Sequence, residues 1–179
     1  MKRQTPQNLI LFGYKACGKT FFGKLLAKEL QLNFLDIDSL IESLFNQEYP
    51  EKYTCREISS QFGLDFFRTL EDRVVDQLHD LKDTILSLGG GTLLNPENQS
   101  KLQKIGKLVY LDADKEKIKL RIFKRGVPAF LDPNDPENSF EKMYQTRKLH
   151  YEKASQFQVQ IKGKSREQIL DALKSHFST

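Results

Sequence analysis

Short apolar runs recur along this chain at 9–12, 34–37, 84–88, 107–111 and 157–161, and each is followed by longer stretches whose apolar residues fall at helical spacing. Runs of four or five β-branched and aromatic residues suit buried strands, whereas spacings of three and four suit amphipathic helices. Helical segments are expected at 19–30, 39–46, 55–62, 64–79, 96–105, 115–123, 140–153 and 165–176. Such an alternation folds in few ways: neighbouring strands run parallel, their crossovers are right-handed, and helices cover both faces of the sheet. The expected class is α/β, a three-layer sandwich around a five-stranded parallel sheet. With 179 residues and 39% hydrophobic content, the chain buries one sizeable core, so a single domain over 1–179 is expected.

The first strand-to-helix junction carries chemistry. Gly13-Tyr14-Lys15-Ala16-Cys17-Gly18-Lys19-Thr20 has the pattern GxxxxGK followed by threonine, which is the phosphate-binding loop of nucleotide hydrolases and kinases. Its amides converge on phosphate, the following helix presents its positive end, and Lys19 adds a point charge for the β- and γ-oxygens. Thr20 offers a hydroxyl to magnesium. All eight residues are assigned to the nucleotide site. Ala16 stands where many such loops have glycine, and a positive φ there would cost energy because of its Cβ.

Other stretches address the acceptor. In FLDID, Asp36 and Asp38 fall at i and i+2, on one side of an extended chain at the sheet edge where ligands bind. Asp36 suits magnesium through water and Asp38 suits a hydroxyl, with Asp38 as a simple helix cap the alternative. In FFRTLE, Arg68 and Glu71 share a helix face, and by spacing alone they read as a surface ion pair. Gly89, Gly90 and Gly91 follow a strand and let backbone approach a ligand closely. Arg121, Arg125 and Arg147 flank the loop 125–139, which holds three of the six prolines; singly, each reads as a solvated charge. Phe21, Phe22, Phe62, Phe66 and Phe67 are expected in the core, and His79, His150 and His176 lack metal-ligand spacing.

The charge balance excludes some partners. Lys plus Arg is 28 against 24 Asp plus Glu, and no basic block concentrates the net +4, so no nucleic-acid partner is expected. No apolar run reaches the roughly 18 residues of a membrane span, and MKRQTPQN lacks the apolar core of a secretory signal. A cytosolic protein with Cys17 and Cys55 as reduced thiols is expected, Cys17 lying exposed in its loop.

Taken in order, GxxxxGKT, DxD, FRxxE, GGG and RxxxY resemble the shikimate kinases over nearly the whole chain. The loop alone is shared by many families, and the DxD, FR and GGG combination is far more specific. The resemblance implies a P-loop kinase fold and a magnesium-dependent transfer from ATP to the 3-hydroxyl of shikimate. Lys19, Asp38 and Arg125 would be catalytic, and Asp36 would stand with Thr20 on the magnesium side. Arg68 and Arg147 would clamp the shikimate carboxylate beside Gly89, Gly90 and Gly91, with Glu71 orienting Arg68. Arg121 would pack on adenine, Tyr14 and Phe67 would add pocket wall, and 123–138 would form a mobile lid. Many members carry Arg-Pro in that lid; here the pair is Val127-Pro128, which leaves Arg125 as the lid charge. Weak ATP hydrolysis without acceptor and a monomeric state are also implied. Gluconate and adenylate kinases share the loop without the FR and GGG stretches, and a nucleotide-binding regulatory module would need no acceptor site.

Overall fold

The computed structural model describes residues 8–177. Five strands form one sheet: β1 (Asn8–Phe12), β2 (Asn33–Asp36), β3 (Thr84–Ser87), β4 (Lys107–Asp112) and β5 (Phe157–Gln160). All pairings are parallel, in the order β2-β3-β1-β4-β5. Among the described residues, eight α-helices connect and flank them: α1 (Lys19–Leu30), α2 (Ile37–Glu48), α3 (Cys55–Phe62), α4 (Leu64–Asp76), α5 (Pro96–Ile105), α6 (Lys115–Phe123), α7 (Pro136–Ala154) and α8 (Arg166–Phe177). A 3₁₀ turn at Thr92–Leu94, which no sequence signal marked, follows the glycine run.

With this strand order, right-handed crossovers place α1 on one face and the helices between β2 and β5 on the other. Helix α8 packs beside α1 and completes the three layers. The central strand β1 is buried throughout, as an all-parallel sheet covered on both faces requires. The order of strands reverses at β1, whose neighbours are β3 and β4. Ligand crevices of open α/β sheets lie at the carboxyl ends of strands at such a point. Here that is the loop after β1.

Two boundaries that bear on the site, and the burial of two phenylalanines, differ from expectation. Strand β2 stops at Asp36, so Asp38 is not on an extended chain; it lies in the first turn of α2. Asp36 is the cap, its Oδ1 accepting from the Asp38 amide at 3.1 Å. Helix α7 starts at Pro136 because Asp135 caps it and proline suits the first helical position, which shortens the expected 123–138 lid to 124–135. Phe21 and Phe62 are exposed rather than core, at 54% and 42%. Phe62 still packs edge-on against Phe45. No helix among the described residues is long and apolar enough to cross a membrane.

Candidate active site

A cavity of about 690 Å³ opens at the carboxyl end of the sheet, lined by the loop after β1, the starts of α1 and α2, helices α3 and α4, the glycine run, the end of α6, the loop 124–135 and α7. Its lining carries eight cationic side chains against three carboxylates. That excess suits a polyanionic donor together with an anionic acceptor.

The phosphate-binding loop forms one wall. Lys19, in the first turn of α1, is 8% exposed, and its ammonium donates to the carbonyls of Gly13 at 3.1 Å and Tyr14 at 2.7 Å. Lys15, Ala16, Gly18, Lys19 and Thr20 line the cavity. Tyr14 and Cys17 point inward instead. The Tyr14 ring stacks on Tyr144 and its hydroxyl donates to the Tyr144 carbonyl at 2.6 Å, so it is no pocket wall. Cys17 is buried at 1%, not exposed, and both cysteines are free. Only the backbones of Gly13, Tyr14 and Cys17 remain for a nucleotide.

Ala16 has φ +65, in the left-handed region shared by the loop glycines Gly13 and Gly18. A residue with a Cβ costs roughly 1–2 kcal/mol there, while replacing it by glycine returns roughly 0.4–1 kcal/mol of chain entropy to the unfolded state. Ala16→Gly is therefore expected to stabilise the protein by about 0.5–1 kcal/mol in urea denaturation. A fall in stability would show that the alanine methyl makes a contact outweighing the backbone cost.

Next to the loop, Thr20 Oγ1 donates to Asp36 Oδ2 at 2.6 Å and lies 3.4 Å from the Ser87 hydroxyl. Ser87 ends β3 opposite Leu11 and escaped the sequence reading, although the neighbouring strand of a phosphate loop is where it would be sought. Two hard oxygens at this spacing fit magnesium, which takes few protein ligands and fills its octahedron with phosphate oxygens and water. The described residues contain no cluster of three His, Cys, Asp or Glu side chains able to hold a metal.

The wall expected to take the acceptor is built on the glycines. Asp38 is half-buried, and burial first, then the neighbouring Asp36, push its carboxyl above the usual range, against the pull of Lys19 and Lys15. Arg68 pairs with Glu71 through Nη1, and Glu71 is 1% exposed, so this is not a solvated surface pair. The other Glu71 oxygen accepts from the Thr92 hydroxyl at 2.6 Å. Thr92, in the 3₁₀ turn after the glycine run, thus helps to fix Arg68 through Glu71, a role its sequence position did not signal. A Cβ on Gly91 would sit 2.0 Å from Arg68 Nη2, so the guanidinium lies flat on this backbone because glycine leaves room. From α7, Arg147 donates to the Gly90 carbonyl at 3.1 Å and stacks over Phe130 at 5.2 Å. Tyr151 donates to the same carbonyl.

Arg121 is exposed and donates to the Ala16 carbonyl at 2.9 Å, on the outer flank of the loop. Arg125 and Phe67 line the cavity, and so do Arg56, Cys55 and Ser59 of α3, which no motif pointed to. The Cys55 thiol donates to the Asp38 carbonyl at 3.2 Å, and burial pushes its pKa up, so it is held as a neutral thiol.

A five-stranded parallel sheet with a GxxxxGKT loop at its switch point, opening on a cavity that Arg68 and Arg147 also line, is the architecture of a P-loop phosphotransferase. A family model described as Shikimate kinase matches residues 15–177. The chain is 33% identical over 166 residues to a shikimate kinase of Alkaliphilus oremlandii, covering 92% of this chain and 95% of that one. It is 31% identical to one of Thermodesulfovibrio yellowstonii over 93% of this chain and 92% of the other. Among solved structures, a shikimate kinase from Acinetobacter baumannii in complex with shikimate superposes with a TM-score of 0.83 at 27% identity, covering 97% of this chain and 94% of that one. The chain belongs to the shikimate kinase family. A gluconokinase from Sinorhizobium meliloti, at TM-score 0.54 and 13% identity, shares the fold alone.

Proposed function

We propose that this protein is a shikimate kinase, transferring the γ-phosphoryl group of ATP to the 3-hydroxyl of shikimate on the route to chorismate and the aromatic amino acids. The observation that carries the reading is the convergence of two guanidinium groups, Arg68 and Arg147, on the glycine run beside Asp38 and across from the phosphate loop. Planar forks of this kind bind a carboxylate bidentately and fix a ring that bears it. A gluconate or nucleotide acceptor supplies no rigid ring with a carboxylate on one side and hydroxyls on the other.

The chemistry is positioning and charge stabilisation. Loop amides and Lys19 hold the phosphates, Arg121 flanks the adenine side, and Gly89, Gly90 and Gly91 let the acceptor lie against backbone. Asp38 takes a hydrogen bond from the reacting hydroxyl and receives its proton as the new P–O bond forms and the bond to the leaving ADP oxygen breaks. Thr20 and Asp36 would hold magnesium, which would supply charge neutralisation at the phosphates. The loop 124–135 closes as a lid, bringing Arg125 to the transferring group and excluding water that would hydrolyse ATP. Every group named comes from one chain, so a monomer suffices, and the same reading has it act in the cytoplasm.

Phosphorus NMR of the product tests the regiochemistry. A single new phosphomonoester coupled to the shikimate C3 proton is expected; phosphate on another hydroxyl would mean that the ring sits differently between Asp38 and the two arginines.

A further inference from the structure

Arg56 is one of the cavity-wall cations, with Lys15 and Lys124, whose side chains have no part in the transfer just described. Arg56 lies in the first turn of α3, is exposed, and lines the same cavity as Asp38 and Arg68. Its Nη1 donates to the backbone carbonyl of Arg125, 69 residues further along the chain. Its Nη2 lies against Gly126, where a Cβ would approach it to 3.2 Å and where φ is +80. A helix on the acceptor side therefore reaches across the cavity mouth to the first residues of the 124–135 loop.

Both ends of this contact are anchored. Helix α3 starts in a reciprocal capping box between Thr54 and Glu57. The Cys55 amide donates to Glu42 at 2.8 Å and its thiol to the Asp38 carbonyl, so the base of Arg56 is tied to the segment that carries Asp38. On the other side, the Arg125 amide donates to the Ile122 carbonyl at 3.2 Å and the Gly126 amide to Phe123 at 3.0 Å, prolonging the end of α6. With its amide engaged by α6 and its carbonyl by Arg56, the Arg125 backbone is held on both sides, which restricts where its side chain can point.

We propose that Arg56 is a positioning residue for phosphoryl transfer: from α3 it grips the Arg125 carbonyl, sets the first turn of the lid over the cavity, and aims the Arg125 side chain at the transferring group. The inference rests on the kinase reading of the site. It also offers an answer to Val127-Pro128, since a lid whose cation lies two residues before that pair needs its backbone fixed at that residue. The guanidinium suits the task because its permanent charge and forked donors hold a carbonyl without any partner of opposite charge.

Steady-state kinetics of Arg56→Ala, Arg125→Ala and the double variant test this, beside trypsin cleavage after Lys124, the site at the start of the loop that all of these proteins keep. Misplacing a catalytic charge without removing it is expected to lower kcat of Arg56→Ala about tenfold, with the shikimate KM within about twofold of the unaltered protein. In the Arg125→Ala background the same change is expected to add less than about twofold, because the two residues act as one unit. Lid cleavage is expected to quicken several-fold, and Arg56→Lys, which keeps one donor, to recover part of the rate and of the protection. Unchanged kcat and cleavage in Arg56→Ala would overturn the proposal, as would a raised KM at constant kcat, which would make Arg56 a substrate contact. A full tenfold loss in the Arg125→Ala background would overturn it too. Should the unaltered protein release no ADP in response to shikimate, the kinase reading fails instead, and the cleavage rate alone then decides the grip.

Discussion

Arg68→Ala is expected to lower kcat/KM for shikimate by about 10³-fold while ATP binding stays within about twofold, since charge-assisted forks position the ring and small misplacements cost heavily. The side chain lies against Gly91 and pairs with Glu71. Arg68→Lys keeps the charge and loses the fork, and is expected to recover only a small part of the activity. Gly91→Ala reaches the same result from the other side, because its methyl would occupy the place of Arg68 Nη2. Both are read by initial rates against shikimate and by ATP titration calorimetry. A variant at Arg68 with ordinary kcat/KM would remove the acceptor site from this account, and a regulatory nucleotide-binding role would then fit better.

Lys19→Met is expected to lower both shikimate-dependent transfer and acceptor-free ATP hydrolysis, by about 10²–10³-fold, since a preorganised cation at the phosphoryl group is removed. Its pattern differs from that of Arg68→Ala, which spares the slow hydrolysis. The methionine also leaves the Gly13 and Tyr14 carbonyls without their ammonium donor, so thermal unfolding should be recorded alongside. Rapid-quench single turnovers separate loss of chemistry from loss of affinity. Equal losses in hydrolysis for both variants would mean that the two walls do not divide donor from acceptor.

The class of fold was legible because the central strands β1 and β4 are largely apolar and stretches of helical spacing separate the strands, as a doubly covered parallel sheet demands. The phosphate loop was legible for a different reason: its glycines and Lys-Thr pair are local, and local chemistry survives in a linear reading. What failed was whatever depends on three-dimensional partners. Asp36 and Asp38 fall at i and i+2 in FLDID as on one extended strand, yet the chain turns helical between them, so Asp36 caps α2 and Asp38 lies in its first turn, both lining the cavity. Glu71 looked like half of a surface pair because nothing in FFRTLE announces that Thr92 closes over its other oxygen. Tyr14 sits in a binding motif but its ring goes to Tyr144, 130 residues away. Arg56 belongs to no motif, and the carbonyl its guanidinium grips comes from the 124–135 loop, far along the chain.

The most direct measurement is ADP release from magnesium-ATP with shikimate, with gluconate, with nucleoside monophosphates, and with no acceptor. Stimulation by shikimate alone, well above the acceptor-free rate and abolished by chelating magnesium, is the predicted result. ATP binding without stimulation by shikimate, or equal stimulation by gluconate, would contradict the assignment of Arg68, Arg147 and Asp38 to a shikimate site.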